Sequence, residues 1–578
     1  MKKYIKHFLT LVLVLSFSAC SDDFLEYVPE DEATVGAWYR DQAEIRQATA
    51  SLYGAPWFAF NDVFSWCAGD LMAGDMHHNW DIEGQFFYLS YNENNSAIRS
   101  GWQGLYNVIS FANLIIDDMP AVASGYGVSE EVINAGLGEA RFFRGMAYYL
   151  LVEYWENVPI IEKAAERVAA NDLQLPKNTA ASIYEFARRD FVFAAEHLPT
   201  SDAPGRVTSW SAKGMLAKLH VTLGQRRVGN PGFPSTTDND FAAAANYAAD
   251  VINNSGLTLF PNYENMFKIE NEHNPEILFA IQWINGGYGV GNSRQARFAR
   301  HSRITDDSQA WGGGKGMTIN FINNLEQNAE SATDLRRRAI YMQNGDYYDY
   351  IVTSEGGYTY EIVSRDDEGE QIEGATPTLT SLKKYVVGSV DDHGYVISNQ
   401  DSPLDQYMLR LADVYLLYAE ALLAGGTELT GGPGYDAYLA VRERAGLNPP
   451  TDGNMTYEDL FNERRVEFAL EAMSWLDVKR RYYRNPTEAL AYLNNQKRTS
   501  AYFRIDSDDN LENDPAGYEL VPAGGVRTET GSNGETQYNN DPEVIFTAEK
   551  MVLPIPGSEV VGNPLLRKGE EPVEYVFE

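Results

Sequence analysis

Residues 138–161 read GEARFFRGMAYYLLVEYWENVPII, and this stretch decides the fold. Its apolar residues recur at helical spacing, which places them on one face of a helix. Two later stretches, 212–223 and 411–422, repeat this spacing. The residues concerned are Phe143, Met146, Ala147, Leu150 and Tyr154, then Ala212, Met215, Leu216, Leu219 and Leu223, then Leu411, Val414, Tyr415, Tyr418 and Leu422. Three separated segments therefore share one pattern of buried helical faces.

A glycine-containing segment follows at least two of these helices, and a further helical stretch comes after each segment. Gly224 precedes the stretch 241–252, and residues 425–434 precede the stretch 435–445. Paired helices with small residues at their crossing resemble tetratricopeptide units, although the connecting loops are longer than usual. Stacked pairs build a superhelical scaffold. The sequence therefore predicts a mainly α fold, a tetratricopeptide-like superhelical scaffold of helix pairs with irregular loops and short strands inserted.

The composition of the chain changes between residues 257 and 406, where Gly, Asn, Asp and Tyr dominate and short strand-like runs occur at 276–283 and 358–363. Such loops on a rigid scaffold commonly carry function. We expect a single domain over 35–578. Its parts are a helical scaffold at 35–256 and 407–496, a ligand-binding, loop-rich insertion at 257–406, and a C-terminal segment at 497–578.

The N-terminus has the pattern of an export signal: three lysines, a short apolar run, and two small residues before Cys20. The apolar run is too short to span a bilayer of about 30 Å. A cysteine at the cleavage point is the arrangement that bacterial lipoprotein processing uses, although Phe17 stands where leucine is usual. We predict that residues 1–19 are removed, that Cys20 carries the lipid and that 20–34 form a tether. The alternative is a soluble periplasmic protein beginning at Cys20.

The charge and the cysteines exclude several classes of protein. A formal charge of −36, from 46 basic and 82 acidic residues, opposes nucleic-acid binding, because phosphates require clustered Lys and Arg. Cys67 has no partner once Cys20 carries a lipid, so no disulfide framework is expected. An acidic, aromatic-rich chain suits neutral or cationic polar ligands better.

Two clusters of polar residues could carry chemistry. Glu463, Glu467 and Glu471 share one helix face and could serve a glycosidase, but the interleaved arginines favour scaffold ion pairs. Residues 75–81 hold two histidines and two aspartates, which could bind a transition metal. Adjacent histidines seldom both reach one ion, and no HExxH motif supports a metal centre elsewhere. We therefore predict no catalytic residue, no metal and no cofactor.

Aromatic residues in loops are the candidates for ligand binding. Sugar rings present apolar C–H faces that stack on indole and phenol rings, while their hydroxyl groups need polar partners. The predicted ligand-binding residues are Trp57, Asp75, His78, Asn79, Trp80, Trp283, Tyr288 and Trp311. Core or scaffold positions are expected for Trp66, Trp102, Trp155 and Trp475. Three stacked rings predict weak binding, about millimolar to micromolar, because the cost of association offsets most of the gain.

Five segments resemble signature segments of the SusD/RagB family of outer-membrane nutrient-binding lipoproteins, in the family's order and across nearly the whole chain. They are the stretch at 138–161, MLRLADVYLLYAEAL at 408–422, GYDAYLAVRERAGL at 434–447, NERRVEFALEAMSWLDVKR at 462–480 and LPIPGSEVVGNPLL at 553–566. The start agrees as well, because Cys20, Ser21, Asp22 and Asp23 resemble the family's mature terminus and its acidic surface-export signal.

The resemblance implies a location, a partner and a function. The location is the outer face of a Gram-negative outer membrane, and the scaffold contains four tetratricopeptide-like pairs. The partner is a SusC-like, TonB-dependent transporter on which the lipoprotein rests as a lid. The function is capture of oligosaccharides without chemical change, with capture of peptides as the alternative. Two further hypotheses are a surface hydrolase, which needs a carboxylate pair across a cleft, and a structural lid that never touches the ligand.

Overall fold

A computed structural model describes residues 38–78, 80–235, 237–300, 302–305, 310–313, 315–343, 345–360, 380–394, 400–496, 498, 526–530, 536–539 and 544–577. The predictions for Cys20, Ser21, Asp22, Asp23 and Asn79 lie outside these residues. The helices, numbered in chain order, are α1 Gln42–Ala50, α2 Asp81–Phe87, α3 Ser96–Gly125, α4 Glu130–Trp155, α5 Ala164–Ala169, α6 Ala180–His197, α7 Ser209–Gly229, α8 Asp240–Asn254, α9 Tyr263–Met266, α10 Arg294–Phe298, α11 Ser302–Thr305, α12 Ile319–Ala329, α13 Arg337–Ile340, α14 Val390–His393, α15 Leu411–Leu423, α16 Pro433–Arg444, α17 Tyr457–Glu467, α18 Ser474–Arg484, α19 Pro486–Asn494 and α20 Gly557–Gly562. The strands are β1 Ile277–Ile281, β2 Tyr347–Tyr348, β3 Tyr358–Thr359, β4 Gln406–Arg410, β5 Glu428–Leu429, β6 Met455–Thr456, β7 Val526–Thr530 and β8 Thr536–Asn539.

The long helices pack against one another in a nearly continuous series. Helix α3 packs on α4, α4 on α6, α6 on α7, α7 on α8, α8 on α15, and α15 on α16. Small residues allow the close crossings: a Cβ atom at Gly145 of α4 would lie 3.1 Å from the ring of Phe191 and 3.2 Å from the carbonyl oxygen of Ala187 in α6. The prediction of a mainly α scaffold of helix pairs is confirmed.

The predicted helical faces form the core. All five residues of the first pattern, from Phe143 to Tyr154, are buried, as are those of the second, from Ala212 to Leu223. In the third, Tyr415 and Tyr418 are half-buried. Helix α3 is long and apolar enough to cross a membrane by length and composition. Its residues Ile98, Trp102 and Leu105 lie in the core of the protein.

A two-stranded antiparallel ladder connects the ends of the loop-rich region. Strand β1 pairs with β4, with Ile277 opposite Arg410 and Ile281 opposite Gln406. The predicted strand run at 276–283 is thereby confirmed as β1. Because the two strands are neighbours, residues 282–405 leave the scaffold and return to it at one place, close to helices α7 and α15.

Buried ion pairs join the helices α15 to α18 to this ladder. Glu467 accepts hydrogen bonds from Arg410 at 2.9 Å, from Arg336 at 3.0 Å and from Arg444. Glu463 is paired with Arg336 and Arg442 at 2.5 and 3.0 Å, and Glu471 with Lys384 and Arg410 at 2.7 and 2.8 Å. All three glutamates are buried. The interpretation of these glutamates as scaffold ion pairs is confirmed, although helix α17 ends at Glu467 and Glu471 lies in the turn that follows it.

Removal of one charge from this network should strongly destabilise the fold. Glu467→Gln leaves three buried guanidiniums without their shared carboxylate, and a broken buried pair costs about 3–5 kcal/mol. We expect a loss of that size in the free energy of unfolding, measured by chemical denaturation. Glu44→Gln breaks the exposed Arg40–Glu44 pair and serves as the control, with almost no expected change. Equal effects of the two substitutions would contradict the role assigned to the network.

The same carboxylate should make stability depend on pH in the acid range. Burial alone raises the pKa of Glu467, but Arg444, Arg410 and Arg336 lower it overall, well below its ordinary value of 4.5. A carboxylate with a lowered pKa stabilises the fold fully above its ordinary pKa and loses that contribution as the pH falls. The free energy of unfolding should therefore decrease steadily below pH 4.5 in the wild type. The decrease should be smaller in Glu467→Gln, and an unchanged slope would refute the assignment.

Candidate ligand-binding site

Two of the predicted aromatic residues are neighbours on the surface, and a third, Tyr288, is connected to them through charged residues. The ring centres of Trp80 and Trp311 are 6.0 Å apart, with 28° between the ring planes. This separation lies within the range of about 4.5–7 Å in which aromatic pairs interact, so the two indoles are near-parallel neighbours. Trp80 is 45% exposed and Tyr288 is 61% exposed, while Trp311 is half-buried. We call Trp80 and Trp311 the indole platform.

Arg297 lies beneath the indole platform. Its guanidinium carbon is 5.3 Å from the ring centre of Trp80 and 5.0 Å from that of Trp311. The guanidinium is thus nearly equidistant from the two ring centres. Because Arg297 is only 7% exposed, it lies on the protein side of the indoles, while 45% of the Trp80 surface remains exposed. A guanidinium at these distances attracts the π faces of both rings.

Asp62 connects Arg297 to the third aromatic residue. Its carboxylate accepts hydrogen bonds from Arg297 Nη2 at 3.0 and 3.2 Å, and from the hydroxyl group of Tyr288 at 3.4 Å. Asp62 belongs to a π-helical turn, Phe60–Phe64, which follows the half-buried Phe58. The ring of Phe58 meets the Tyr288 ring edge-on at 4.8 Å. Tyr288 is therefore fixed by one aromatic contact and one hydrogen bond beside the platform.

Local backbone contacts place the two indoles. The backbone N–H of Trp80, the residue before α2, donates to Glu83 Oε2 at 3.2 Å, and the N–H of Trp311 donates to the carbonyl oxygen of Ala296 at 2.7 Å. A Cβ atom at Gly312 would lie 2.1 Å from the carbonyl oxygen of Phe298, so only glycine allows this segment of the chain to approach α10 so closely. The Gly312 position therefore holds Trp311 over Arg297.

Two tryptophans predicted to bind ligand are core residues instead. Trp57 is fully buried among Phe60, Phe143 and Phe279, and its indole N–H donates to the carbonyl oxygen of Leu52. Trp283 is 4% exposed. Trp283 lies two residues after β1. Residues 278–281 of this strand are all buried, and the side chain of Trp283 is buried as well. The predictions for Trp57 and Trp283 are therefore wrong.

Of the polar residues predicted near Trp80, Asp75 and His78 present no solvent-exposed hydrogen-bonding edge. Asp75 is fully buried and pairs with Arg465 at 2.5 Å, so its assignment to a ligand is also wrong. His78 is half-buried against Phe87 and Tyr88, and both of its ring nitrogens are buried. Burial lowers the pKa of His78, which leaves the ring neutral at physiological pH. Within the described residues, no group of three His, Cys, Asp or Glu side chains could hold a metal ion.

Asp62 and Arg297 carry no local sequence signal, because these partners are 235 positions apart and neither lies in a recognisable motif. Trp66 lies in the core as expected, where its indole N–H donates to the carbonyl oxygen of Asp62 at 2.8 Å. The loop aromatics can therefore be picked out from the sequence alone, but the charged residues that support them cannot.

The fold and the site together define a helical-repeat protein with an exposed aromatic platform on its loops. Family models refine this class. The model of the SusD family matches residues 275–570, and a second model, described as starch-binding associating with outer membrane, matches residues 23–221. The chain belongs to the SusD family, as the five sequence segments predicted.

Individual relatives agree with this assignment. A SusD-like protein of Bacteroides ovatus is 34% identical over 97% of both chains. The starch-binding protein SusD of Bacteroides thetaiotaomicron is 24% identical over 59% of this chain and 63% of its own length. A structure solved with a xylogluco-oligosaccharide superposes with a TM-score of 0.76 at 31% identity, covering 92% of this chain and 99% of that one.

Proposed function

We propose that this protein captures oligosaccharides at the cell surface and delivers them to a SusC-like, TonB-dependent transporter. The observation that carries the proposal is the indole platform, in which the exposed ring of Trp80 lies near-parallel to the neighbouring indole of Trp311. Pyranose rings bind such faces through their C–H groups and keep their hydroxyl groups towards water. The relative that was solved with a xylogluco-oligosaccharide shares both the fold and nearly a third of the sequence, which supports a glycan ligand.

The geometry of the platform favours an extended glycan chain. Two neighbouring indoles with a shallow angle between their planes would offer aromatic surface to more than one sugar ring. Tyr288 adds a third ring with a hydroxyl group next to it. If each ring covers about 100 Å² of sugar, the apolar gain is roughly 7 kcal/mol before association costs of at least about 4 kcal/mol. The proposed binding is therefore weak and readily reversible, as transfer to a transporter requires.

Binding without hydrolysis is part of the proposal. Asp62 lies at the platform, but its two oxygens are occupied by Arg297 and Tyr288. A carboxylate held in an ion pair is a poor proton donor, and glycosidases need two carboxyl groups across the scissile bond. Capture of oligopeptides is the alternative ligand class, because aromatic rings also bind apolar side chains.

The proposed location is the outer face of an outer membrane. A lipid on Cys20 and the surface-export signal formed by Ser21, Asp22 and Asp23 would place the protein there, with 20–34 as a tether. The match to a family model described as associating with outer membrane supports this part of the proposal. A platform on the loops of a membrane-tethered scaffold suits a lid that hands its ligand to a transport barrel.

Substitution of either indole should weaken glycan binding strongly. The soluble chain from residue 21 would be titrated by calorimetry against xyloglucan, mixed-linkage glucan and starch oligosaccharides, and against mixed peptides. We expect saturable glycan binding that Trp80→Ala and Trp311→Ala each weaken at least tenfold, since each removes about half of the platform. Trp210→Ala is the control, because this half-buried indole lies on α7 and contacts Lys213.

Three results would count against the glycan proposal. Glycan binding that survives both platform substitutions would move the site elsewhere. Binding of peptides alone would favour the alternative ligand class. Appearance of shortened sugars during the titration, followed by chromatography, would show hydrolysis.

The lipid should depend on Cys20 alone. In a Gram-negative host fed labelled palmitate, Cys20→Ala should lose the label and leave the membrane fraction, because a multi-chain anchor gains about 0.8 kcal/mol for each buried methylene. Cys67→Ala is the matched control, since this thiol is buried in the core and should not affect labelling. A Cys20→Ala protein that stays labelled would disprove the assignment.

A further inference from the structure

A second buried cation lies close to the indole platform. Lys315 is 1% exposed, and its Nζ atom donates to the carbonyl oxygen of Arg297 at 2.9 Å. The same ammonium is 2.9 Å from Glu83 Oε1 and 4.9 Å from the ring centre of Trp66. Burial lowers the pKa of Lys315, and the charge of Glu83 opposes that shift. The ammonium is therefore held between two polar partners inside the protein.

The two carboxylate oxygens of Glu83 contact different partners. Oε1 faces the ammonium of Lys315, and Oε2 accepts the backbone N–H of Trp80 at 3.2 Å. One carboxylate thus connects the segment that carries Trp80 with the ammonium that binds the Arg297 backbone. The side chain of Arg297, fixed by Asp62, in turn lies under both rings.

Lys315 also closes the turn that follows Trp311. Its backbone N–H donates to the carbonyl oxygen of Gly312 at 2.9 Å, and Gly312 N–H donates to Ala299 at 2.8 Å. The backbone of Lys315 therefore contacts the Trp311 segment, while its side chain contacts the Trp80 segment through Glu83. Lys315 therefore connects the segments that carry both indoles to α10.

A buried ion pair adds little net stability, because the loss of hydration offsets most of the attraction. Its directed hydrogen bonds do fix geometry, and supporting residues of this kind hold a binding site in its productive arrangement. A binding surface that is already ordered avoids about 0.5–1.5 kcal/mol of ordering cost for each immobilised side chain. For two indoles this corresponds to roughly a tenfold change in affinity.

We propose that Lys315 and Arg297 are positioning residues of the platform: neither contacts the ligand, and together they hold Trp80 and Trp311 side by side before a ligand arrives. The proposal rests on the proposed function only in so far as the platform is the ligand site. Arg297 acts on the rings from below, and Lys315 acts on the segments that carry them.

The experiment compares two buried lysines in the full mature protein. Lys315→Met removes the ammonium from the platform, and Lys218→Met removes one from the scaffold. Lys218 is also 1% exposed, and its Nζ atom is 2.8 Å from Asp413. Both variants should lose a similar amount of thermal stability, so stability alone cannot separate the two roles.

The readout that separates them is the indole N–H resonance of each platform tryptophan, measured without ligand and assigned with Trp80→Phe and Trp311→Phe. Lys315→Met should shift or broaden both resonances and weaken glycan binding about tenfold. Lys218→Met should leave the resonances and the affinity at wild-type values. Arg297→Met provides a second test, with the same expected shifts, if Lys315→Met does not fold.

Wild-type resonances in both Lys315→Met and Arg297→Met would overturn the proposal, and so would equal shifts in Lys218→Met. The resonances do not require a ligand. If the wild-type protein bound no glycan, the proposed function would fail, while the indole measurement would still decide whether these cations position the rings.

Discussion

The buried ion pairs around Glu467 are the constraint on which the rest of the structure depends. Glu467 meets Arg336, Arg410 and Arg444, which come from three different parts of the chain, and Arg410 reaches on to Glu276 at the start of the ladder. A charge in such a cluster cannot move away without leaving its partners buried and unpaired. Helices α16 and α17 and the strands β1 and β4 are therefore held in one relative arrangement, whatever the loops around them do.

The candidate site depends on this arrangement through the ladder. The loop-rich region leaves the scaffold after β1 and returns before β4, and Tyr288, Arg297 and Trp311 all lie within it. Their partners Asp62 and Trp80 come from the N-terminal part, where the π-helical turn Phe60–Phe64 packs next to α3. The platform therefore forms where two regions of the chain come together. Its geometry depends on the ion pairs that hold these two regions in place on the scaffold.

Sequence reasoning succeeded where the information is local and failed where it is not. The apolar spacing of 143–154 is a property of one helix, and the arginines beside Glu463 and Glu467 already predict ion pairs, so both inferences are confirmed. Whether a loop tryptophan is exposed depends on residues that are distant from it in the sequence. Trp57 lies in an apolar stretch, APWFAF, and Trp80 in a polar one, HHNWDIE, but the rings of Phe143 and Phe279 that cover Trp57 are distant in the sequence. The pair Asp62 and Arg297 was missed for the same reason.

Charge balance links the interior to the choice of ligand. Among the described residues, 17 buried Lys and Arg side chains match 17 buried Asp and Glu side chains, so the net charge of −36 belongs entirely to groups outside that buried set. The cations that lie near the platform are part of the buried set: Arg297 is neutralised by Asp62 and Lys315 by Glu83. Neither of these two cations is free to bind an anion. If the platform binds sugars as proposed, a neutral glycan needs only aromatic ring faces, whereas these two cations offer a polyanionic sugar no free charge.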